Sequence, residues 1–231
     1  MVWAGEAEKM TKALLTGTDR YYLDNATDYA NRTIDADMSL LHNQFLARLP
    51  TGGSILDAGC GAGRDLKVFI DRGYQACGID ASTSLVELAK QYSGANCTVG
   101  RIEEIADISR FDGIWACASL LHLPKVDIES VLHRFRKALV LGGTLFASVQ
   151  EGVGEQTAPD GRFFAHYQLD EFAKAVKAAD FSVDKAWLTE DTLCRSKANN
   201  WIKIYWLRGI RFIIKTLVYL SLGKLTHFST A

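Results

Sequence analysis

The sequence predicts an α/β fold: a doubly wound, mostly parallel seven-stranded sheet with one antiparallel strand and an N-terminal helical lid. Short apolar runs alternate with segments of helical period, which implies βαβ units and a sheet covered on both faces. The last two runs follow each other without a helix between them, which indicates a hairpin and one antiparallel strand. A length of 231 residues fits a single domain.

Each element has a pattern of its own. Five runs bounded by Gly or Asp are typical of buried strands: residues 54–57, 75–79, 96–99, 113–118 and 144–149. Helical periodicity covers residues 85–92, 128–139 and 169–176. Ser84 and Glu87 have the spacing of a capping box at the start of the first of these helices. The closing hairpin is expected at residues 181–188 and 201–207.

Composition and charge exclude several classes of protein. The 26 Lys+Arg and 27 Asp+Glu leave a net charge of -1, so nucleic acid is not expected as a partner. The five cysteines are odd in number and scattered, which predicts neither a disulfide framework nor a metal site. The first thirty residues lack the apolar core of a secretory signal, and no apolar run reaches the roughly 18 residues that span a bilayer. We therefore expect a cytoplasmic protein.

The two ends of the chain form separate predicted units. Residues 1–50 read as helical and precede the first strand, so they are interpreted as a lid. Residues 209–231 form an apolar tail; Arg208, directly before it, and Arg211 and Lys215 within it fall on one helical face. A basic amphipathic helix over residues 209–224 can lie on an anionic membrane surface. It can equally cover its own domain or a dimer interface, and the sequence leaves these alternatives open.

The most informative segment is the turn after the first predicted strand, Leu-Asp-Ala-Gly-Cys-Gly-Ala-Gly-Arg over residues 56–64. Glycines let the backbone turn sharply and let a ligand approach closely. Ligands of open α/β sheets bind beyond the carboxyl ends of strands, so this turn predicts a small-molecule site. A dinucleotide fingerprint needs its third glycine at the position of Arg64, whereas this chain has it at Gly63. The turn also supplies Asp57, which could meet an ammonium group.

An acidic residue ends the second predicted strand. Asp80 follows the glycine turn by about 20 residues, where a carboxylate can accept both hydroxyls of a ribose. The turn and Asp80 together therefore predict an adenosine-type nucleotide site.

With these motifs, residues 20–208 resemble the class I S-adenosylmethionine-dependent methyltransferases. The resemblance implies a Rossmann-like domain over residues 51–208 that binds S-adenosyl-L-methionine as cofactor. It places Asp57 and the glycine backbone on the methionine part, Asp80 on the ribose, and Ile102 against the adenine. Glu103 substitutes for the Asp that many members carry where this chain has Arg101. The full set of expected cofactor-binding residues is Asp57, Gly59, Cys60, Gly61, Gly63, Arg64, Asp80, Ala81, Ile102, Glu103, Ala116, Cys117 and, from the lid, Tyr21.

The loop after the fourth strand narrows the class of methyl acceptor. It reads Ala-Cys-Ala-Ser over residues 116–119. Enzymes of this family that methylate exocyclic amines carry an Asn/Asp-Pro-Pro-aromatic motif there, and cytosine-C5 enzymes need a Pro-Cys nucleophile. Neither pattern is present, so the resemblance implies methyl transfer to a small molecule.

Three side chains are candidates for catalysis. Methyl transfer by in-line displacement requires alignment and exclusion of water, and a general base only for certain acceptors, such as a hydroxyl. Tyr22 in the lid, His122 after the fourth strand and Arg162 in the long segment 150–167 could surround the acceptor. His122 could equally cap the helix that follows it, and Arg64 could bind a substrate carboxylate or lie exposed.

Two other functions remain open from the sequence. One is a non-catalytic protein that senses S-adenosylmethionine or binds a partner through the tail. The other is a nicotinamide-dependent oxidoreductase, against which the glycine spacing argues.

Overall fold

The computed structural model describes residues 15–190 and 200–208. Three short helices precede the sheet: α1 (Gly17–Asp24), α2 (Ala26–Thr33) and α3 (Ser39–Leu46). The chain then continues through β1 (Ser54–Ala58), α4 (Arg64–Asp71), β2 (Gln75–Asp80), α5 (Thr83–Ser93), β3 (Asn96–Val99), β4 (Phe111–Cys117), α6 (Lys125–Ala138), β5 (Leu139–Gln150), β6 (Glu155–Thr157), β7 (Phe163–Ala165), α7 (Leu169–Ala178), β8 (Phe181–Glu190) and β9 (Asn200–Arg208).

Seven strands form one sheet in the order β3-β2-β1-β4-β5-β9-β8. All neighbours are parallel except β9, which runs antiparallel to both β5 and β8. The predicted sheet, with its single antiparallel strand, is confirmed. The strand order reverses between β1 and β4, so a crevice opens where their carboxyl ends diverge.

Two apolar clusters cover the faces of the sheet. Alternate residues of β4 point to opposite sides, because side chains along a strand have a period of two. Ile114 packs in the cluster that includes α6 and α7, while Trp115 packs with residues of α3, α4 and α5. The Trp115 ring is fully buried and stacks on Phe146 with a centroid separation of 4.0 Å. Helices therefore enclose both faces, as predicted.

Local details differ from the sequence pattern at two places. The N-cap of α5 is Ser82, whose hydroxyl accepts from the Leu85 amide at 3.3 Å, so the capping box expected at Ser84 is wrong. The helix starts earlier because the Asp80 carboxylate already holds the Ser82 amide. The segment 150–167, expected as a long loop, contains the antiparallel hairpin β6–β7. This hairpin lies beside the crevice.

The C-terminal tail, residues 209–231, lies outside the described residues, as does Cys194. Among the helices of residues 15–190 and 200–208, none combines the length and the hydropathy needed to cross a membrane.

Candidate active site

A cavity of about 620 Å³ lies at the carboxyl ends of β1, β2 and β4. One side, here called the strand-end wall, follows the sheet and consists of Gly59, Gly61, Asp80, Ala81, Ser82, Leu85, Gly100, Arg101, Ile102 and Glu103. A second part of the lining, here called the outer wall, consists of Thr16, Gly17, Thr18, Asp19, Tyr22, Tyr29, His122, Leu123, Pro124, Thr157, Gly161 and Phe163. Cys117, Ala118 and Ser119 form the floor.

At two positions of the turn after β1, a side chain larger than that of glycine would crowd its neighbours. Gly59 has a φ of 86°, and a Cβ there would stand 2.4 Å from the Ser119 Cβ. A Cβ on Gly61 would approach the Tyr29 ring at 3.3 Å. The Gly59 amide donates to the Ile79 carbonyl at 2.8 Å, which fixes the turn against β2. The backbone of the turn is therefore exposed to the cavity and rigidly held.

Asp80 joins the turn to the start of α5. Its Oδ2 accepts from the Gly61 amide at 2.9 Å, and its Oδ1 accepts from the Ser82 amide at 2.9 Å. Burial raises the pKa of Asp80, and these two amide donors oppose that rise. Each carboxylate oxygen keeps a further lone pair, so Asp80 can accept two hydroxyls from the cavity side.

Two buried polar atoms beneath the turn lack partners. Oδ2 of Asp57 and Oγ of Ser119 make no hydrogen bond to any described residue. Burial, with the charge of Asp65 adding to it, raises the pKa of Asp57 well above its usual value. An unpartnered buried carboxylate is costly, and a cationic ligand group nearby would stabilise it. Together with the open turn and Asp80, these atoms fit a nucleoside that carries an ammonium and a sulfonium.

Arg64 lies in a buried polar network rather than at the cavity surface. Its guanidinium donates to both oxygens of Asp65, at 2.9 and 2.8 Å. Asp65 also accepts from Trp115 Nε1 and bonds His42 Nε2, both at 2.8 Å. Burial alone would raise the pKa of Asp65, but Arg64 and His42 outweigh it and lower the pKa. Arg64 is therefore neither exposed nor free to bind a carboxylate; it fixes α4 beneath the turn.

The cofactor-binding and catalytic residues expected from the sequence fall into two groups, those that line the cavity and those that do not. Nine residues singled out in the sequence line the cavity: Gly59, Gly61, Asp80, Ala81, Ile102, Glu103, Cys117, Tyr22 and His122. The remainder do not line it: Asp57, Cys60, Gly63, Arg64, Ala116, Tyr21 and Arg162. Cys60 and Ala116 are buried in the two apolar clusters, and Gly63 packs against Ala89 of α5. Burial raises the pKa of Cys117 to about 11, so its thiol stays protonated at neutral pH.

An ion pair that the sequence did not indicate closes one end of the cavity. Asp19 is buried, bonds the Thr16 amide in a capping box, and accepts from Arg101 Nη1 at 3.0 Å. Arg101 also pairs with Glu103 at 3.3 Å. This contact joins α1 to the segment after β3. The two residues lie 82 positions apart in the chain, so no local spacing could have indicated the pair.

Tyr22 and His122 meet on the outer wall. The Tyr22 hydroxyl lies 2.9 Å from His122 Nε2, and His122 Nδ1 lies 2.8 Å from the Phe163 carbonyl. Burial lowers the pKa of His122 to about 4, which keeps the ring neutral at physiological pH. Phe163 is held in turn, because its amide donates to Thr18 Oγ1 at 2.8 Å. Three separate segments thus assemble one polar pair.

Arg162 lies behind this pair. Its Nε and Nη2 both donate to Asp160 Oδ2, at 3.1 and 2.7 Å, and its guanidinium stacks over the Tyr21 ring at 4.2 Å. Burial raises the pKa of Tyr22, whereas the nearby Arg162 guanidinium lowers it. Arg162 thus acts on the pair through a side-chain hydrogen bond to Tyr22 and through its charge.

Comparison with known proteins identifies the family. Residues 30–186 match the family model described as a methyltransferase domain. A 61-residue stretch is 38% identical to the 2-heptyl-1-hydroxyquinolin-4(1H)-one methyltransferase of Mycobacteroides abscessus, and covers 26% of this chain and 27% of that relative. The chain thus spans about a quarter of the length of this curated relative.

Solved structures share the fold. The 1,6-didemethyltoxoflavin-N1-methyltransferase of Burkholderia thailandensis, solved with 1,6-didemethyltoxoflavin and S-adenosylhomocysteine, is similar with a TM-score of 0.69. It is 21% identical, with 82% of this chain and 86% of that chain covered. A TehB-like methyltransferase of Corynebacterium glutamicum gives a TM-score of 0.61 at 20% identity, covering 79% of this chain and 97% of that chain. The family match, which spans more than half of the sequence, shows that the chain belongs to the class I S-adenosylmethionine-dependent methyltransferases.

Proposed function

We propose that this methyltransferase modifies a small molecule bound between the outer wall and the floor of the cavity. The observation that carries the proposal is one continuous cavity with two unlike walls. The strand-end wall suits a nucleoside, and the outer wall carries a separate polar pair, Tyr22 and His122. The cavity volume of about 620 Å³ falls within the roughly 300–1,000 Å³ that is typical of small-molecule sites.

The strand-end wall would hold the cofactor. Asp80 would accept the ribose hydroxyls, and the Ile102 side chain would lie against the adenine. Asp57, beneath the glycine turn, would compensate the positive charge of the methionine part. S-adenosyl-L-methionine, when bound, supplies a methyl group on a positively charged sulfur for in-line displacement by the acceptor.

The N-terminal helices would keep water out, so that residues 1–50 act as a lid on a domain of residues 51–208. Tyr22 and Tyr29 pack edge to face, with ring centroids 5.1 Å apart. Two contacts hold α1 in place at the cavity: Asp19 pairs with Arg101 of the strand-end wall, and Thr18 accepts from the Phe163 amide. Exclusion of water strengthens the electrostatic interactions within the site and protects the reacting groups.

The names of similar proteins support a small acceptor. The curated relative is named for a 2-heptyl-hydroxyquinolone, and the Burkholderia structure contains 1,6-didemethyltoxoflavin; both are small molecules built on fused rings.

The test is transfer of labelled methyl groups in a fractionated extract. We expect label in compounds that pass an ultrafiltration membrane which retains protein and nucleic acid, with S-adenosylhomocysteine formed in equal amount. Label confined to protein or nucleic acid, with cofactor binding intact, would contradict the proposal.

A further inference from the structure

Hydrogen bonds determine the protonation of His122. A backbone carbonyl can only accept, so the short contact to the Phe163 oxygen requires a hydrogen on Nδ1. In the neutral ring Nε2 then carries a lone pair, and the Tyr22 hydroxyl must donate to it. The Tyr22 oxygen consequently offers only lone pairs to the cavity. A ligand group placed against it must donate a hydrogen.

The charges around Tyr22 and His122 determine whether a negative or a positive charge on that ligand group is favoured. The titratable groups that act on the pair are Arg162 on both residues, Asp160 and Asp19 on His122, and Asp80 and Tyr21 on Tyr22; the Phe164 ring packs against His122. Burial raises the pKa of Tyr22 and lowers that of His122; among the charged groups Arg162 has the largest effect on both, and it lowers both pKa values. Such a field favours a ligand group that turns negative as it loses a proton. It disfavours an amine, which turns positive when it gains a methyl group.

His122 is a weak base, so it can accept a proton only from a comparatively acidic group. With the pKa of His122 near 4, a hydroxyl as acidic as that of tyrosine lies about six pKa units above it. An alkyl alcohol, close to water in acidity, lies about twelve units above. Only an acidic hydroxyl is therefore within reach of this pair. The neighbouring surface is made of Phe163, Leu123, Pro124 and the tyrosine rings, which suit a flat ring.

We propose that the acceptor is an acidic hydroxyl on a flat aromatic ring, and that its proton passes through the Tyr22 hydroxyl to Nε2 of His122. This inference rests on the proposed function and specifies its substrate class. The acceptor oxygen forms the new bond to the methyl carbon with a lone pair, and the carbon–sulfur bond breaks with its electron pair left on sulfur. The acceptor proton moves to Tyr22, and the Tyr22 proton moves to His122. The imidazolium then returns its proton to solvent.

The experiment uses three coumarins of the same shape and labelled cofactor. These probes are 7-hydroxycoumarin, 7-aminocoumarin and 7-(hydroxymethyl)coumarin, which present an acidic hydroxyl, an amine and an alkyl alcohol. We expect kcat/KM for 7-hydroxycoumarin to exceed the other two values at least tenfold. Preference for the amine or the alcohol, or methylation of none by protein that binds the cofactor, would overturn the inference.

Two variants test the route of the proton. Tyr22→Phe removes the relay, and His122→Gln retains a hydrogen-bond acceptor but no titratable nitrogen. At pH 6, well below the pKa of 7-hydroxycoumarin (about 8), each should lower kcat about 30-fold, close to the lower end of the contribution of acid–base catalysis, with a much smaller change in KM. Raising the pH above the pKa of 7-hydroxycoumarin should restore kcat, because the ionised probe needs no base. A merely structural role would give no such rescue.

The control is Tyr92→Phe, a matched substitution at an exposed site on α5, which should leave kcat unchanged. Unchanged kcat in both site variants, or a loss that high pH does not restore, would overturn the inference. The proposed function fails separately, if no small molecule in an extract accepts the methyl group. Methylation of the amine probe would leave that function intact while refuting the acidic hydroxyl.

Discussion

The strand-end wall of the cavity comes from one stretch of chain, residues 59–103, whereas the outer wall joins α1, α2, the turn after β4 and the β6–β7 hairpin. In the first, backbone amides at the ends of β1 and β2 fix the geometry of Asp80. In the second, Tyr22 and His122 are 100 residues apart, and Thr18 and Phe163 are 145 apart. Changes in the strand-end wall should therefore affect folding and cofactor affinity, and changes in the outer wall should affect turnover.

The largest expected effect is on stability at the glycine turn. Gly63 has a φ of 87°, and a Cβ there would meet the Ala89 backbone at 2.9 Å. Gly63→Ala should lower the free energy of unfolding by about 2–5 kcal/mol, through backbone strain and displacement of α5. Gly73→Ala is the matched control, because Gly73 has a φ of 83° but open space around it. The control should lose only about 1–2 kcal/mol in urea unfolding. Equal losses would remove helix packing from the explanation.

The next effect is on cofactor affinity. If Asp80 holds the ribose as proposed, Asp80→Ala should remove charge-assisted hydrogen bonds and weaken binding by about 1–3 kcal/mol, or about 5- to 150-fold in Kd. Calorimetric titration with S-adenosylhomocysteine measures this directly. Asp71→Ala, a surface carboxylate paired with Lys67, should bind as the unmodified protein does. An unchanged Kd for Asp80→Ala would remove Asp80 from the site.

The outer wall should respond to acid. The folded pKa of His122, about 4, lies below its unfolded value of about 6.5, so the unfolded chain binds the proton more readily. Stability is therefore complete above pH 6.5 and declines as the pH falls toward 4. Between pH 8 and pH 5 this residue should cost about 2 kcal/mol in the free energy of unfolding. His122→Gln should abolish that loss, whereas His133→Gln, at an exposed position on α6, should retain it. The same pH dependence in both variants would contradict a neutral buried His122.

The smallest effect concerns the link between α1 and β7. Thr18→Val keeps the shape but removes the acceptor of the Phe163 amide hydrogen bond. We expect a loss of about 0.5–1.5 kcal/mol in the free energy of unfolding, and a lower kcat because the Phe163 carbonyl positions His122. Thr18→Ser, which keeps the hydroxyl, should recover both quantities. A stability loss without any change in kcat would separate this hydrogen bond from catalysis.

The sequence predicted features of the strand-end wall better than contacts made by the outer wall. The strands depend on local periodicity, and Asp80 ends the strand that follows the glycine turn, about 20 residues along the chain, so the pattern of apolar residues and glycines located them. The pair of Asp19 with Arg101 could not be predicted, because it depends on how α1 packs across the sheet. Arg64 shows the limit within the motif itself: its position was known, but its bond to Asp65 depends on burial beside Trp115 and His42. His122 was a candidate, and its tautomer became definable only with the Phe163 carbonyl in place.

The most direct test of the account is a crystal structure of the complex with S-adenosylhomocysteine. The account predicts both ribose hydroxyls on the Asp80 carboxylate, the adenine against Ile102, and the Tyr22–His122 hydrogen bond intact and facing the remaining space. A nucleoside bound along the outer wall, with Asp80 uncontacted and Tyr22 turned away from His122, would contradict it.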